Sequence, residues 1–396
     1  MTFLVSHPTG NTFVRALLDE LQNSDLLSFF YTTIGFGEGC NAFFPIISNR
    51  RTYEIHDSKI HRLWYPEIKR LLAKTNQATS RNLRDKSYSQ LDSKVASELS
   101  LHSVKVIHAY EDGAHKTFLK AKELGIQCSY ELPIAYWATN RRLLAEEAER
   151  YPYWEPTLET TSEPEEKLLK KEEEIRLADR ISCPSKFVME SIPNEIRNRV
   201  PCQISPFGSP RNFTLPTLDK KEKRKKKEMK ILFVGSMSQR KGLADLFEAM
   251  KILKKEPVKL SILGQPSMPC DFYRKELSNF RYYPPCSNTK VREIMRQHDA
   301  LVLPSIVEGR ALVQQEALSC GTPLIVTPNA GAEDLIDEGL TGFIIPFRNP
   351  EKIAEKILTL MESTTPKKTI AIHCQKKAEA YSWDSYARKI IDFNLN

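Results

Sequence analysis

The sequence predicts an α/β protein of two doubly wound parallel sheets, and three observations carry that expectation. The chain has 396 residues, 41% hydrophobic and 27% charged, which suits a soluble protein with enough apolar material for two cores. Short apolar runs alternate with helix-period stretches in both halves, the pattern of parallel strands joined by helical crossovers. Between the halves, Asp219–Lys230 carries eight basic residues against three acidic ones and shows no apolar period, so it reads as a solvated linker. The expected division is 1–215, a basic linker at 216–230, and 231–379.

In the first half, Thr2–Val5 is a short apolar strand that meets the turn Pro8-Thr9-Gly10-Asn11, and Val14, Leu17, Leu18 and Leu21 then share one helical face. A strand over Val104–Ala109, a helix over Ala114–Leu124 and a strand over Ile126–Tyr130 follow. Long helical stretches come next around Ile134–Arg150 and Pro164–Ala178, then a strand over Arg180–Cys183. In the second half the alternation is clearer. Strands are expected over Lys230–Val234, Val258–Leu263, Ala300–Leu303, Pro323–Val326 and Phe343–Ile345. Helices are expected over Gly242–Leu253, Thr289–Gln297, Ala311–Cys320 and Pro350–Met361. Two such domains place a ligand crevice between the carboxyl ends of their sheets.

Composition excludes several functions. The net charge is +8, and the linker segment holds more than half of it, so the rest is near neutral and no nucleic-acid coat is implied. Eight cysteines (Cys40, Cys128, Cys183, Cys202, Cys270, Cys286, Cys320 and Cys374) are scattered with no metal-ligand spacing, which suggests reduced thiols in the cytoplasm. No run nears the ~20 apolar residues of a membrane helix, and the N-terminal run reaches His7-Pro8 before a signal-peptide core could form. Peripheral membrane contact stays open. From Arg50 to Lys94, eleven Lys and Arg residues mingle with Tyr53, Trp64, Tyr65 and Tyr88. That region reads either as a surface for an anionic acceptor or lipid headgroups, or as a helical excursion with a solvated face, and the second is preferred.

The chemistry concentrates in Leu303–Pro323: a buried strand, a loop with Glu308 and Gly309, a helix bearing Glu316, and the turn Gly321-Thr322-Pro323. A loop-to-helix junction presents unsatisfied N–H groups and the positive end of the helix dipole, a natural seat for a diphosphate. Carboxylates there can accept hydrogen bonds from neighbouring sugar hydroxyls.

These residues resemble the retaining glycosyltransferases of family 4, which have the GT-B fold of two Rossmann-like domains facing each other across a cleft. The resemblance runs through Pro304-Ser305, Glu308, Glu316-Ala317 and Gly321-Thr322-Pro323. It extends to Phe233-Val234-Gly235 with Lys241-Gly242, Ile262-Leu263-Gly264, His298-Asp299-Ala300 and Thr341-Gly342-Phe343. In the first half Ala178-Asp179-Arg180 and Pro184–Phe187 match in the right order, and Tyr381–Asp384 is similar to the start of the C-terminal helix, here 380–396, that such proteins fold back onto the first domain.

The resemblance implies a nucleotide-sugar donor bound by the second domain and an acceptor met by the first. Glu308 would bind donor-sugar hydroxyls on the reacting face, and Lys241 would neutralise the leaving diphosphate, with Gly10 closing over it. Glu316 would hold the ribose. The backbone amides of Arg310, Ala311, Leu312 and Val313, after Gly309, would reach sugar and diphosphate. Gly264 and the segment of Tyr282 and Tyr283 would border the base. No metal or other cofactor is implied, since fixed cations can stabilise the leaving group and no acidic pair stands out to hold a metal.

The chain also departs from the pattern. Ser236 follows Gly235 where an Arg is common, and Arg240 can supply that charge. Asn11 replaces a second glycine after Gly10. Arg310-Ala311 replaces an aromatic-Gly pair, so the Arg310 side chain either meets an anionic group or forms a rim salt bridge. Tyr130–Pro133 lacks a histidine, and Phe207-Gly208-Ser209-Pro210 replaces an Asn-Gly turn. His7, His108, Glu111 and Glu131 are the remaining candidates for acceptor activation, and Glu111 and Asp112 could equally cap a helix. The expected activity is hexosyl transfer to a saccharide, lipid-linked or small-molecule acceptor by front-face attack. The alternatives are an epimerase or phosphorylase on the same fold, or a non-catalytic nucleotide-sugar binder.

Overall fold

The computed structural model describes residues 2–38, 51–72, 77–158, 163–210 and 228–396. Cys40, Arg50, residues 73–76 and the basic run 220–227 lie outside them.

The first-half strands are β1 (Phe3–Ser6), β2 (Leu27–Thr32), β3 (Phe36–Glu38), β4 (Thr52–His56), β5 (Ile60–Arg62), β6 (Val106–Tyr110), β7 (Gln127–Glu131), β8 (Arg180–Cys183) and β9 (Cys202–Ile204). Seven form a parallel sheet in the order β5-β2-β1-β6-β7-β8-β9, and β3 pairs with β4. All of β1 and β6 is buried, as expected of strands covered on both faces. The helix Thr12–Asn23 buries Val14, Leu17, Leu18 and Leu21. Strands β2, β5 and β9 escape the sequence reading: β5 and β9 have only three residues each, and β2 mixes Ser28 and Thr32 with its apolar residues. The Arg50–Lys94 region contributes β4, β5 and the helices Trp64–Leu72 and Gln77–Glu98.

The second half holds β10 (Met229–Val234), β11 (Val258–Leu263), β12 (Arg281–Tyr283), β13 (Ala300–Leu303), β14 (Leu324–Val326) and β15 (Gly342–Ile344), all parallel, in the order β12-β11-β10-β13-β14-β15. This is the doubly wound order in which the chain reverses direction across the sheet between its first and fourth strands, here β10 and β13, and ligands bind beyond the carboxyl ends at that point. The equivalent point of the first sheet lies between β1 and β6.

Two segments cross between the halves. The helix Trp383–Leu395 leaves the second half and packs Trp383, Tyr386 and Ile390 into the first-half core beside Leu17 and Phe207. In the other direction, the helix Trp137–Arg150 and the turn Pro152–Thr157 leave the first half and pack on the second. Trp154 enters the second core with its ring centroid 5.7, 5.1 and 5.8 Å from those of Phe247, Phe272 and Tyr273. Leu143, Leu144 and Leu158 cover Ile306 and Val307 beyond β13. Among the described residues no helix is long and apolar enough to cross a membrane.

Candidate active site

Beyond β10 the chain runs through Gly235 into the turn Gln239–Lys241 and then Gly242, whose φ is 72°. A Cβ on Gly242 would lie 2.0 Å from the Pro304 carbonyl oxygen, so only glycine lets the helix Leu243–Ile252 begin so close to the loop after β13. That approach is sealed by the Arg240 carbonyl, which accepts from the N–H groups of Ile306 at 2.9 Å and Val307 at 3.3 Å.

The approach brings three expected residues together. Glu308 Oε1 accepts from Arg240 Nη1 at 3.0 Å, and its other oxygen is in contact with Lys241 Nζ. Their side chains are 12%, 25% and 11% exposed. Burial first, and the neighbouring Arg240 charge second, push the Lys241 ammonium to give up its proton more easily. The Glu308 carboxylate in contact with it acts in the opposite direction, because an opposite charge favours the charged form.

Gly235, Gly264, Tyr282 and Tyr283 line up beside this cluster. A Cβ on Gly235 would be 3.6 Å from Lys241 Cε, and one on Gly264 would strike the Gly235 carbonyl at 1.8 Å. Gly264 N–H donates to the Tyr283 carbonyl at 3.1 Å, and the Tyr282 hydroxyl donates to the Gly264 carbonyl at 3.2 Å. The carboxyl ends of β12, β11 and β10 therefore form a continuous ledge leading to Glu308.

On the other side of Glu308, Gly309 presses against the first half: a Cβ there would strike the Pro133 carbonyl at 1.8 Å, and Ser185 Oγ donates to the Gly309 carbonyl at 2.6 Å. The helix Leu312–Ser319 follows, with Ala311 at its N-cap. The N–H groups of Leu312 and Val313 belong to its first turn and have no acceptor within the helix. Glu316 is partly buried on that helix, and its carboxylate has no hydrogen bond or ion pair among the described residues. Burial raises its affinity for a proton, and Arg292 opposes this.

Of its two expected roles, the Arg310 side chain takes the salt bridge, with Asp334, whose side chain is 41% exposed. It turns inward, 1% exposed, and donates to Gln315 Oε1 at 3.1 Å, the Gly331 carbonyl at 3.2 Å and Asp334 Oδ1 at 2.7 Å. The guanidinium carbon lies 4.9 Å from the Tyr381 ring centroid. Only its backbone is left to face a ligand.

First-half candidates lie apart from the cluster. Gly10 packs within its own domain, where a Cβ would be 2.6 Å from the Tyr53 hydroxyl and 3.0 Å from Arg15 Nη2. Asn11 is the N-cap of the helix Thr12–Asn23, without a side-chain cap bond. His108 is buried between Ser129 Oγ at 2.9 Å and Glu131 Oε2 at 3.3 Å. Glu131 in turn accepts from the Tyr386 hydroxyl at 2.8 and 2.7 Å, so this pair anchors the C-terminal helix rather than facing an acceptor. Burial pushes Glu111 up to about 7, opposed by Lys171. The helix His115–Glu123 is capped by neither Glu111 nor Asp112. Glu174 accepts from the N–H groups of Asp112, Ala114 and His115, and Asp92 from those of Lys116 and Thr117.

His7 is buried under Tyr110 and Phe13, with Nδ1 accepting from the Thr9 N–H at 3.0 Å. Burial lowers its pKa to about 3. Below the ordinary value of about 6.5 the unfolded chain takes up a proton that the folded imidazole refuses, so this stabilisation is lost as pH falls, by about 1.4 kcal/mol per unit. His7→Asn keeps an acceptor for Thr9 and removes the titration. Its melting temperature should fall less than that of the wild type between pH 6.5 and 4.5, and parallel curves would exclude the effect.

Between the sheets lies a cavity of about 1080 Å³. Ser236, Ser238 and Arg240 line it from the second half, and Tyr88, Asp112 and Lys171 from the first. Lys241 and Glu308 do not line it, and Glu308 is joined to it through its contact with Arg240.

Residues 216–392 match the family described as glycosyl transferases group 1. An uncharacterized glycosyltransferase of Methanocaldococcus jannaschii is 28% identical over 177 residues, covering 42% of this chain and 44% of that protein; the chain spans about half the length of the curated relatives it matches. The sucrose-phosphate synthase of Thermosynechococcus elongatus superposes with a TM-score of 0.67 at 14% identity, over 100% of this chain and 98% of that one. Anabaena HepE in complex with UDP superposes with a TM-score of 0.63 at 14% identity, over 100% of both chains. These neighbours have the GT-B fold, and so does this chain.

Proposed function

We propose that this chain, which matches the group 1 glycosyl transferases over residues 216–392 and has the GT-B fold, transfers a hexosyl group from a nucleoside-diphosphate sugar to an acceptor in the cleft, with retention of configuration. The observation that carries this reading is the Arg240–Lys241–Glu308 cluster at the point where the second sheet reverses its strand order.

Each part of the donor has a partner of matching chemistry. The first-turn amides of Leu312 and Val313 face the phosphates, with the helix dipole behind them. Arg240 and Lys241 take the charge that grows on the departing diphosphate. Glu308 accepts from the sugar hydroxyls, Glu316 accepts from the ribose diol, and Tyr282, Tyr283 and Gly264 border the base.

In the transfer, the bond from the anomeric carbon to phosphate breaks and its electron pair stays on the phosphate oxygen. The acceptor hydroxyl bonds to the same face of that carbon and passes its proton to the phosphate oxygen. Fixed donors at a developing anion contribute about 3–4 kcal/mol of transition-state stabilisation. In this reading Glu308 accepts from the sugar hydroxyls and does not attack the anomeric carbon, so it forms no sugar adduct. The leaving-group charge is met by side chains, and the reading includes no metal.

A thermal-shift screen against UDP-, GDP- and ADP-sugars in the presence of EDTA tests it. One nucleotide class should raise the melting temperature, with about 2.7 kcal/mol of stabilisation at a hundred times Kd, and EDTA should leave turnover unchanged. Absence of any shift sinks the reading. HepE is crystallised with UDP, which makes UDP-sugars the first arm. The reading extends to peripheral membrane contact through Trp64, Tyr65 and Ile68, which are exposed on one helix. The same assay with anionic vesicles should show binding that Tyr65→Ser weakens.

A further inference from the structure

We propose that Glu147 and Thr157, both in the first half, are positioning residues for the leaving-group cations, so that the donor site is completed by the segment that crosses from the other domain. This inference rests on the function proposed above.

Arg240 and Lys241 are carried on the turn Gln239–Lys241, and its first residue is fully buried. Gln239 N–H donates to Thr157 Oγ1 at 3.0 Å. Its side-chain Nε2 donates to Glu147 Oε2 at 2.6 Å and to Asp245 Oδ2 at 2.8 Å, while Oε1 accepts from the Ala244 N–H at 2.8 Å. Every polar group of Gln239 that could let the turn rotate is thus engaged, and two of those bonds come from the first half.

Glu147 and Asp245 are both 0% exposed, and guanidinium groups balance them. Arg348 pairs with Glu147, and Arg150 Nη2 donates to Asp245 Oδ1 at 2.6 Å. Thr157 Oγ1 donates to the Trp154 carbonyl at 2.6 Å, and Trp154 is locked in the second core. The crossing segment therefore holds the turn from a rigid base. Glu147 does not line the cavity and acts only through Gln239; Thr157 borders the cavity, but its Oγ1 is engaged by the Gln239 N–H and the Trp154 carbonyl. Displacing a group at a reacting centre by about 1 Å can cost 10²-fold in rate.

The test uses the full chain and inorganic pyrophosphate as probe, since it engages the cations whatever the nucleotide base. Thr157→Val removes the hydroxyl at constant shape, Glu147→Gln removes the charge at constant shape, and Thr157→Ser keeps the hydroxyl. Thr157→Val and Glu147→Gln should bind pyrophosphate about ten-fold more weakly, as expected when a buried hydrogen-bonded partner is lost. Donor KM should rise in step while acceptor KM stays unchanged, and Thr157→Ser should restore wild-type values. Wild-type pyrophosphate affinity in both Thr157→Val and Glu147→Gln overturns the proposal, as does a loss in Thr157→Ser equal to that in Thr157→Val. Should Glu147→Gln fail to fold, the two Thr157 variants decide alone. If the wild type binds neither pyrophosphate nor any nucleoside diphosphate, the functional reading beneath the proposal falls too.

Discussion

Glu308→Gln should lower turnover by about 10²–10³-fold while leaving the affinity for free nucleoside diphosphate equal to or tighter than that of the wild type. Glu308 pairs with both Arg240 and Lys241, and a diphosphate needs those same cations. The carboxylate and the ligand compete, so the donor must displace Glu308 from at least one cation as it binds. The freed carboxylate then turns to the sugar hydroxyls. A neutral amide gives up the cations more easily, which favours nucleotide binding, but it is a poorer partner for an oxocarbenium-like sugar. Turnover at saturating donor, together with calorimetric binding of the matching nucleoside diphosphate, separates the two effects. Turnover within a few-fold of wild type would refute the assigned role. So would a parallel loss of nucleotide affinity, which would make Glu308 a purely structural anchor.

Lys241→Met should reduce kcat/KM for the donor by about 10²–10³-fold, and here nucleotide affinity should fall as well. Methionine preserves most of the stem under Gly235 but brings no charge to the leaving phosphate. The substitution also leaves Glu308 with Arg240 as its remaining cationic partner among the described residues, and an under-satisfied buried group costs about 1–3 kcal/mol of stability. Chemistry and folding are separated by the double variant Lys241→Met/Glu308→Gln. It removes the stranded charge and should recover melting temperature without recovering activity. If activity returns with stability, Lys241 serves the fold alone. Lys241→Arg should rescue only partly, because a planar guanidinium does not fit the place of a compact ammonium on a stem that passes under Gly235.

The donor half was largely legible in the sequence. The expected strands at Val258–Leu263 and Ala300–Leu303 coincide with β11 and β13, because both are apolar runs with abrupt polar or glycine boundaries. The first half was read less completely. Strands β2, β5 and β9 carry mixed residues, and β12, with the pattern Arg-Tyr-Tyr, has no apolar run to mark it. The sequence reading also offered helix capping by Glu111 and Asp112, whereas the caps come from Glu174 and Asp92, remote in sequence. A cap borrowed from another helix leaves no local trace. Arg310 shows the same limit: its position beside Glu308 suggested a ligand contact, and Asp334 with Tyr381 drew it inward.

By itself the sequence determined that this protein has two α/β halves, that a loop-to-helix junction with Glu308 and Glu316 lies at the end of a buried strand, and that Arg240 and Lys241 follow a glycine after another. Those features are set by short-range forces: apolar runs that must be covered on both faces, and glycines where the backbone must turn. Only the tertiary structure decided that Lys241 meets a carboxylate 67 residues away and that Gln239 is held by Glu147 at a separation of 92. Such contacts depend on how two sheets and a crossing segment pack, and each hydrogen bond is satisfied by whichever partner that packing presents.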